Sequence, residues 1–330
     1  MKATANSGSN IAFIKYWGVR ENGTGGYWAL NPSVSMTLQT ARTTTTVEFD
    51  PRLTTDTCTV NDRPADPVTM ARVQRVLQRV REQASIRECA RVVSVNSMPA
   101  SVGLASSASG FSALARASAR AAGLPEETAN LVPLAILGSG SACRSIYGGY
   151  VLWIPPDDGN IRATVEQLAT EREWKLVDLA TIVSRSEKQV SSAEGHLRAR
   201  TSSLLEERLS GLTGRLRRVR EAIRNHELSS LGEAMEEDCL TMHTVAMTSK
   251  PPIFYWDPAT IEVMRKVQGL RARAGLQCYF TIDAGPNVHV ITTEEESDQV
   301  RRELEALPGV LEVLRLDTGP GAYLTDQHLF

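Results

Sequence analysis

The segment "SSASGFSALARASARAAG" (Ser106 to Gly123) is rich in small residues and ends in glycine, so it reads as a closely packed helix. It follows "ARVVSVNS" (Ala90 to Ser97), whose alternating, β-branched pattern predicts a strand. Between the two, "MPASVGLASSASG" (Met98 to Gly110) supplies a turn: Gly103 lets the chain reverse tightly, and Ser106 and Ser107 add hydroxyls. The first N–H groups of the helix have no partner within it, and together with the helix dipole they favour negative charge. The unit therefore suits phosphate. It lacks the lysine of a G-x-x-x-x-G-K-[ST] loop. On this segment alone, a phosphate cradle and a helix start that needs only caps are both open.

The rest of the chain mixes strands and helices. "TTTTVEFD" (Thr43 to Asp50) predicts a strand, and Asp66 and Pro67 open a helix with Val73, Val76, Leu77 and Val80 at helical spacing. "YGGYVLWIP" reads as a strand ending at Pro155 and Pro156. From about Trp174 a strand, "KLVDLATIVS", leads into a long helical region over 193–247, broken near Gly211 to Gly214. "PPIFYW" is a loop, Pro258 to Ala274 a helix, and "LQCYFTIDAGPNVHVIT" two strands around Gly285 and Pro286. A helix over 294–306 and a strand over 309–316 complete the pattern. This predicts an α+β protein of two lobes, 1–183 and 184–330.

Composition narrows the function classes. At 330 residues, with 42% hydrophobic and 22% charged residues, the chain has the make-up of a globular protein. A net charge of -2 gives no case for nucleic acid as partner. The arginines of "GRLRRVREAIRNH" (Gly214 to His226) read as a solvated helix face or an anion patch. Cys58, Cys89, Cys143, Cys239 and Cys278 are odd in number and scattered, which predicts neither disulfides nor structural zinc, and a cytoplasmic location. No run reaches the 18 or so apolar residues of a membrane span, and no signal peptide is expected.

Three further stretches carry candidate chemistry. "NIAFIKYWGVRENGTGGYWALNPSVSMTL" (Asn10 to Leu38) sets Lys15, Tyr16 and Arg20 beside a Gly-rich turn, as for an anionic small molecule or an exposed strand end. "GSGSACRSIYGGYVLW" (Gly138 to Trp153) places Ser139, Ser141 and Arg144 in a loop before a strand; Arg144 is a surface residue or a bidentate clamp on a carboxylate or phosphate. In "YFTIDAGPNVHV", Asp283 ends an apolar strand, where it caps a turn or serves as a base on a cleft floor.

Together, "NIAFIKYWG", "NPSVSMTL", "GLASSASG", "GSGSACRSIYGG", "SEKQVSS", "MHTVAMTSKPPIFYW" and "TIDAGPNVH", in that order, resemble the mevalonate diphosphate decarboxylase family. The resemblance covers most of the chain. It implies the two-lobed fold of the galactokinase, homoserine kinase and mevalonate kinase superfamily, with a ribosomal protein S5 domain 2-like first lobe and the active site in the interlobe cleft. It also implies a homodimer that uses ATP and Mg²⁺ on a phosphorylated mevalonate. There, the 3-hydroxyl is phosphorylated, and loss of that phosphate is coupled to loss of CO₂. Asp283 is then expected to take the hydroxyl proton and Arg144 to hold the carboxylate that leaves. Gly103, Leu104, Ala105, Ser106 and Ser107 are expected on the ATP phosphates, Ser107 also on the metal, and Asn96 near the adenine. Ser139, Ser141 and Ser192 are expected on substrate oxygens, and Lys15 and Tyr16 at the 5-phosphate end or the nearby nucleotide. Trp17 reads as packing.

Two positions depart from the family pattern. Its "KYWGK" has Val19 in place of the second lysine, and Ala193 follows "VSS" where relatives carry arginine or another polar residue. Both face the 5-diphosphate in the family. Losing two donors, each worth roughly 1.5–3 kcal/mol, predicts mevalonate 5-phosphate as substrate and isopentenyl phosphate as product. The alternatives are that Arg20 or Lys188 compensates and the diphosphate remains the substrate, or that the protein is a mevalonate kinase without decarboxylation.

Overall fold

The computed structural model describes residues 1–21, 27–98, 106–157, 163–186 and 189–330. In chain order its first part comprises β1 (Lys2–Ile14), β2 (Val19–Glu21), β3 (Tyr27–Ala29), β4 (Ser33–Asp50), β5 (Thr57–Val60), β6 (Arg63–Pro64), α1 (Pro67–Ala84) and β7 (Cys89–Asn96). Then come α2 (Ser106–Ala121), α3 (Thr128–Gly138), α4 (Ala142–Tyr147), β8 (Tyr150–Ile154), β9 (Thr164–Ala169) and β10 (Leu176–Ile182). Four helices follow: α5 (Ser192–Arg198), α6 (Leu205–Ser210), α7 (Leu212–Asn225) and α8 (Leu228–Met247). The remainder is α9 (Pro258–Ala274), β11 (Cys278–Ile282), β12 (Val288–Thr293), α10 (Ser297–Glu305), β13 (Glu312–Asp317) and β14 (Tyr323–Thr325).

The first sheet runs β14-β1-β4-β7-β5-β6, with β8 and β9 continuing from the other half of β4. β4 is long enough to change partners: Thr43–Asp50 pairs with β7, while Ser33–Met36 pairs with β8. Alternation along β4 then sorts its side chains. Val34, Met36 and Leu38 join Ile11, Phe13, Tyr150 and Leu152 in a core that also holds Leu176, Ala180, Ile291 and Leu316 of the second sheet. That sheet, β11-β12-β10-β13, has its other face covered by α9 and α10 through Val263, Val267, Val300 and Leu304. The two sheets thus share one core. β10 precedes residue 183, yet it is an interior strand of the second sheet, and β14 returns to the first.

α2 lies against β1 and β4, and its small residues explain how closely. Ser112 donates to the Ser7 hydroxyl, and Ser109 Oγ is 2.7 Å from Thr43 Oγ1. A seam of paired hydroxyls between Ala113, Ala115 and Ala117 of the core satisfies polar atoms that would be costly to bury alone. α1 follows its sequence signals: Asp66 accepts from the N–H groups of Val68 and Thr69, and Val73, Val76, Leu77 and Val80 are the buried residues.

Three expectations need correction. The helical region over 193–247 is four helices, with breaks after Thr201 and at His226, whose φ is 57°, besides the one at Gly211. The stretch around Arg144 is helix α4 and not a loop. β1 and β14 arise where no strand was expected. No helix among the described residues is long and apolar enough to cross a membrane.

Candidate active site

The ends of β1 and β11 meet across the two sheets, where Thr281 Oγ1 donates to Ala12 O at 3.4 Å. Just beyond those ends, Lys15 Nζ lies 2.5 Å from Asp283 Oδ1. The lysine side chain is 5% exposed and the aspartate 35%, so the carboxylate is accessible and the ammonium sits behind it. Lys15 was expected to serve an anionic substrate end; here its ammonium is on a carboxylate.

The backbone of Lys15 is clamped from both sides. Its N–H donates to Asp238 Oδ2 at 2.8 Å, and its carbonyl accepts from Arg208 at 2.8 Å and Asn31 at 3.0 Å. Asp238 is wholly buried between Arg208, at 3.0 Å, and Arg215, at 3.3 Å. Arg208 also reaches the Asp238 carbonyl and Thr241, and Arg215 the Arg208 carbonyl, so most charges in the cluster are hydrogen-bonded as well as paired. Asn31 further accepts from the Trp17 N–H.

Arg144 is buried on α4, with only neutral partners among the described residues. Its Nε donates to Ser35 Oγ at 2.7 Å, and its two terminal nitrogens donate to Ser33 Oγ at 2.6 Å and Asn10 Oδ1 at 3.0 Å. Ser33 and Ser35 come from the face of β4 opposite its apolar one. Asn10 is held in turn by Ser145 and by the Ser141 carbonyl. A guanidinium has five N–H donors, and the described residues account for three of them. Burial lowers its pKa, but the group stays charged. A buried cation bonded only to neutral groups is strongly attracted to a carboxylate that comes within reach.

The hydroxyls gather beside it. Ser139 Oγ is 3.2 Å from Ser141 Oγ and 3.5 Å from Ser107 Oγ, the last from the first turn of α2. Arg72, half-buried on α1, donates to the carbonyl of adjacent Gly138 at 2.6 Å. Tyr16 stacks on His196 at 4.6 Å and meets Trp153 edge-on at 5.3 Å, and burial raises its pKa. Trp17 is buried against His196 and Tyr255, as packing requires. Ser192 is half-buried in the first turn of α5, and Ser106 is exposed at the start of α2. Asn96 ends β7 and accepts from Thr43, two hydroxyl contacts from α2. Gly103, Leu104, Ala105 and Lys188 lie outside the described residues.

Residues 7–163 match the model of the diphosphomevalonate decarboxylase-like N-terminal domain, and residues 179–312 that of the mevalonate 5-diphosphate decarboxylase C-terminal domain. The chain belongs to the diphosphomevalonate decarboxylase family. It is 33% identical to diphosphomevalonate decarboxylase mvd1 of Aspergillus fumigatus, over 93% of this chain and 81% of that one. It is 31% identical to phosphomevalonate decarboxylase of Haloferax volcanii, over 91% of each. Among solved structures, a complex of MDDEF with MVAPP, AMPPCP and magnesium superimposes with a TM-score of 0.89 at 35% identity, over 99% of each chain. Mevalonate diphosphate decarboxylase of Staphylococcus aureus gives 0.91 at 31%, over 98% of each.

Within this decarboxylase family member, sequence reasoning missed Asp238, Arg208, Arg215 and His196. One signal was present. In α7 the buried residues Leu212, Arg215, Val219, Ala222 and Ile223 form a single helical stripe, so Arg215 stands at a core position in what reads as a solvated arginine run. Replacing Asp238 by Asn would leave two buried guanidinium groups facing a neutral amide. Breaking such a buried pair costs about 3–5 kcal/mol. The Asp238→Asn variant is therefore expected to unfold at clearly lower urea concentration than the wild type; equal midpoints would show that the cluster contributes little.

Proposed function

We propose that this protein is an ATP- and Mg²⁺-dependent decarboxylase of mevalonate 5-phosphate, releasing isopentenyl phosphate, CO₂, ADP and phosphate. The observation that carries decarboxylation is Arg144, a buried cation that bonds no carboxylate among the described residues and has two donors left by them. A kinase acting on the 3-hydroxyl alone has no use for such a group. In this reading Arg144 holds the substrate carboxylate with its C–C bond aligned to the departing 3-phosphate. Electrons of that bond become the new double bond as phosphate leaves. Asp283 orients the 3-hydroxyl and takes its proton, while Lys15 steadies the carboxylate from behind. Ser139, Ser141 and Ser192 supply hydrogen bonds to substrate oxygens, and Tyr16 lines the 5-phosphate end.

The residues present fit a nucleotide and its metal. α2 starts at Ser106 without an acidic residue in its first turn, and Ser107 offers a hard oxygen beside Ser139. Magnesium carried by phosphates needs only one or two protein oxygens, and when bound it neutralises charge on the transferring phosphoryl group. Ser106 and Ser107, with Gly103, Leu104 and Ala105, are assigned to the phosphates, Ser107 also to the metal, and Asn96 to the adenine side. The reading includes a homodimer in the cytoplasm, with lobes 1–183 and 184–330.

The choice of monophosphate rests on lost cations. Val19 stands half-buried in β2 and Ala193 exposed in α5. Arg20, the described candidate for compensation, donates to the Pro156 carbonyl at 3.2 Å and lies over the Trp28 ring. The family is named for the diphosphate, and the diphosphate remains the second reading. Turnover of mevalonate, its 5-phosphate and its 5-diphosphate, followed side by side as ADP and CO₂, tests the proposal. A preference for the diphosphate would reject the monophosphate, and ADP without CO₂ would reject decarboxylation.

Three variants sharpen the roles. Asp283→Asn is nearly isosteric but accepts no proton, so phosphorylation should nearly vanish while ATP binding and folding persist; near-normal ADP release would remove Asp283 as the base. Arg144→Gln should lose at least about two orders of magnitude in rate, because one amide cannot replace a bidentate clamp. Normal release of both ADP and CO₂ would end that role. Val19→Lys combined with Ala193→Arg should raise kcat/KM for the diphosphate relative to the monophosphate by about tenfold, or roughly 1.4 kcal/mol. An unchanged ratio would show that these positions do not set the preference.

A further inference from the structure

Helix α5 carries Ser192 and His196 one turn apart, and His196 meets the opening "KYWG" stretch. Contact there is tight: a Cβ at Gly195 would lie 2.6 Å from both the Trp17 ring and the Tyr255 hydroxyl. The imidazole of His196 is fixed in two ways. Its face stacks on Tyr16, with centroids 4.6 Å apart and planes 2° from parallel, and its Nδ1 accepts from the Gly18 N–H at 3.2 Å. A backbone N–H can only donate, so Nδ1 carries no proton and the neutral ring must carry its proton on Nε2. Burial pushes the imidazole down to about 4, which keeps it neutral under ordinary conditions. Nε2 has no protein partner among the described residues, and His196 keeps part of its surface exposed. The ring also sits between the two missing cations: Val19 follows the glycine that bonds it, and Ala193 lies one helical turn before it.

We propose that His196 donates its Nε2–H to an oxygen of the substrate's 5-phosphoryl group and so helps determine which phosphorylated mevalonate is accepted. The assignment rests on the substrate reading above. A lysine or arginine rewards every added negative charge, whereas a neutral donor makes one directional bond and gains little from a second phosphate further out. The stack and the Gly18 bond hold the donor in place before binding, so little ordering remains to be done when the ligand arrives. His196 is thus a binding residue and takes no part in the proton transfer at the 3-hydroxyl.

His196→Phe keeps a flat ring for Tyr16 and removes both nitrogens; His196→Gln keeps a donor and loses the stack. A hydrogen bond to a charged group is worth roughly 1.5–3 kcal/mol, so the phenylalanine variant should show a KM about tenfold or more higher for the phosphorylated mevalonate. Its kcat should stay within about threefold and its KM for ATP should not move, with glutamine recovering part of the loss. The ratio is taken on whichever phosphorylated mevalonate the wild type turns over faster, so a wrong choice of substrate appears in the wild type and leaves the ratio readable. Nitrogen NMR of the wild-type imidazole, titrated with mevalonate 5-phosphate, needs no variant to fold. It should show Nδ1 unprotonated throughout and the Nε2–H proton moving downfield as ligand is added. An unchanged KM in the phenylalanine variant, or a proton found on Nδ1, would overturn the assignment, as would an Nε2–H signal indifferent to the ligand.

Discussion

The buried carboxylate of Asp238 is where the molecule's separate parts are tied. It belongs to α8, its two guanidinium partners to α6 and α7, and its remaining bond goes to the backbone of Lys15 at the end of β1. Removing a charge from water is costly, so such a cluster persists only where geometry and extra hydrogen bonds offset that cost. The cluster fixes the one peptide from which Lys15 extends to Asp283. The ammonium that meets the Asp283 carboxylate is therefore placed by a buried ion cluster on its own backbone.

How much of this was legible varies with how local the cause is. α1 and α9 could be read from their caps: Asp66 with Pro67, and Asp257 with Thr260, Pro258 and Gly275, satisfy the helix ends with residues beside them in the chain. β11 and β12 announced themselves as apolar β-branched runs. β1 did not. It is buried on both faces, but much of its length is Ser, Asn, Gly and Ala, because it packs under α2 and over Arg144, where hydroxyls and amides are wanted. A strand made polar by its tertiary neighbours carries no period-two signal.

The site divides in the same way. Asp283, Arg144 and the serines stand in short stretches whose order is itself informative. Asn10, Ser33 and Ser35, which support Arg144, look like ordinary strand residues, and only the pairing of β1 with β4 puts them on one guanidinium. Arg208 and Asp238 are thirty residues apart in sequence, with nothing local to mark them as partners. Positioning groups are harder to read than reacting ones because their chemistry is generic and their meaning lies in register.

β14 is a short element with a long reach. Tyr323–Thr325 pairs with Thr4–Asn6, so the first sheet closes its outer edge with residues from beyond the second sheet. In the order of synthesis β1 precedes every strand of the second sheet and β14 follows them all, so that row of backbone N–H and C=O groups stays unpaired in the interval. An unpaired edge is an invitation to another chain. The segment thus sets an order: the outer edge of the first sheet is covered only after the strands of the second have been made.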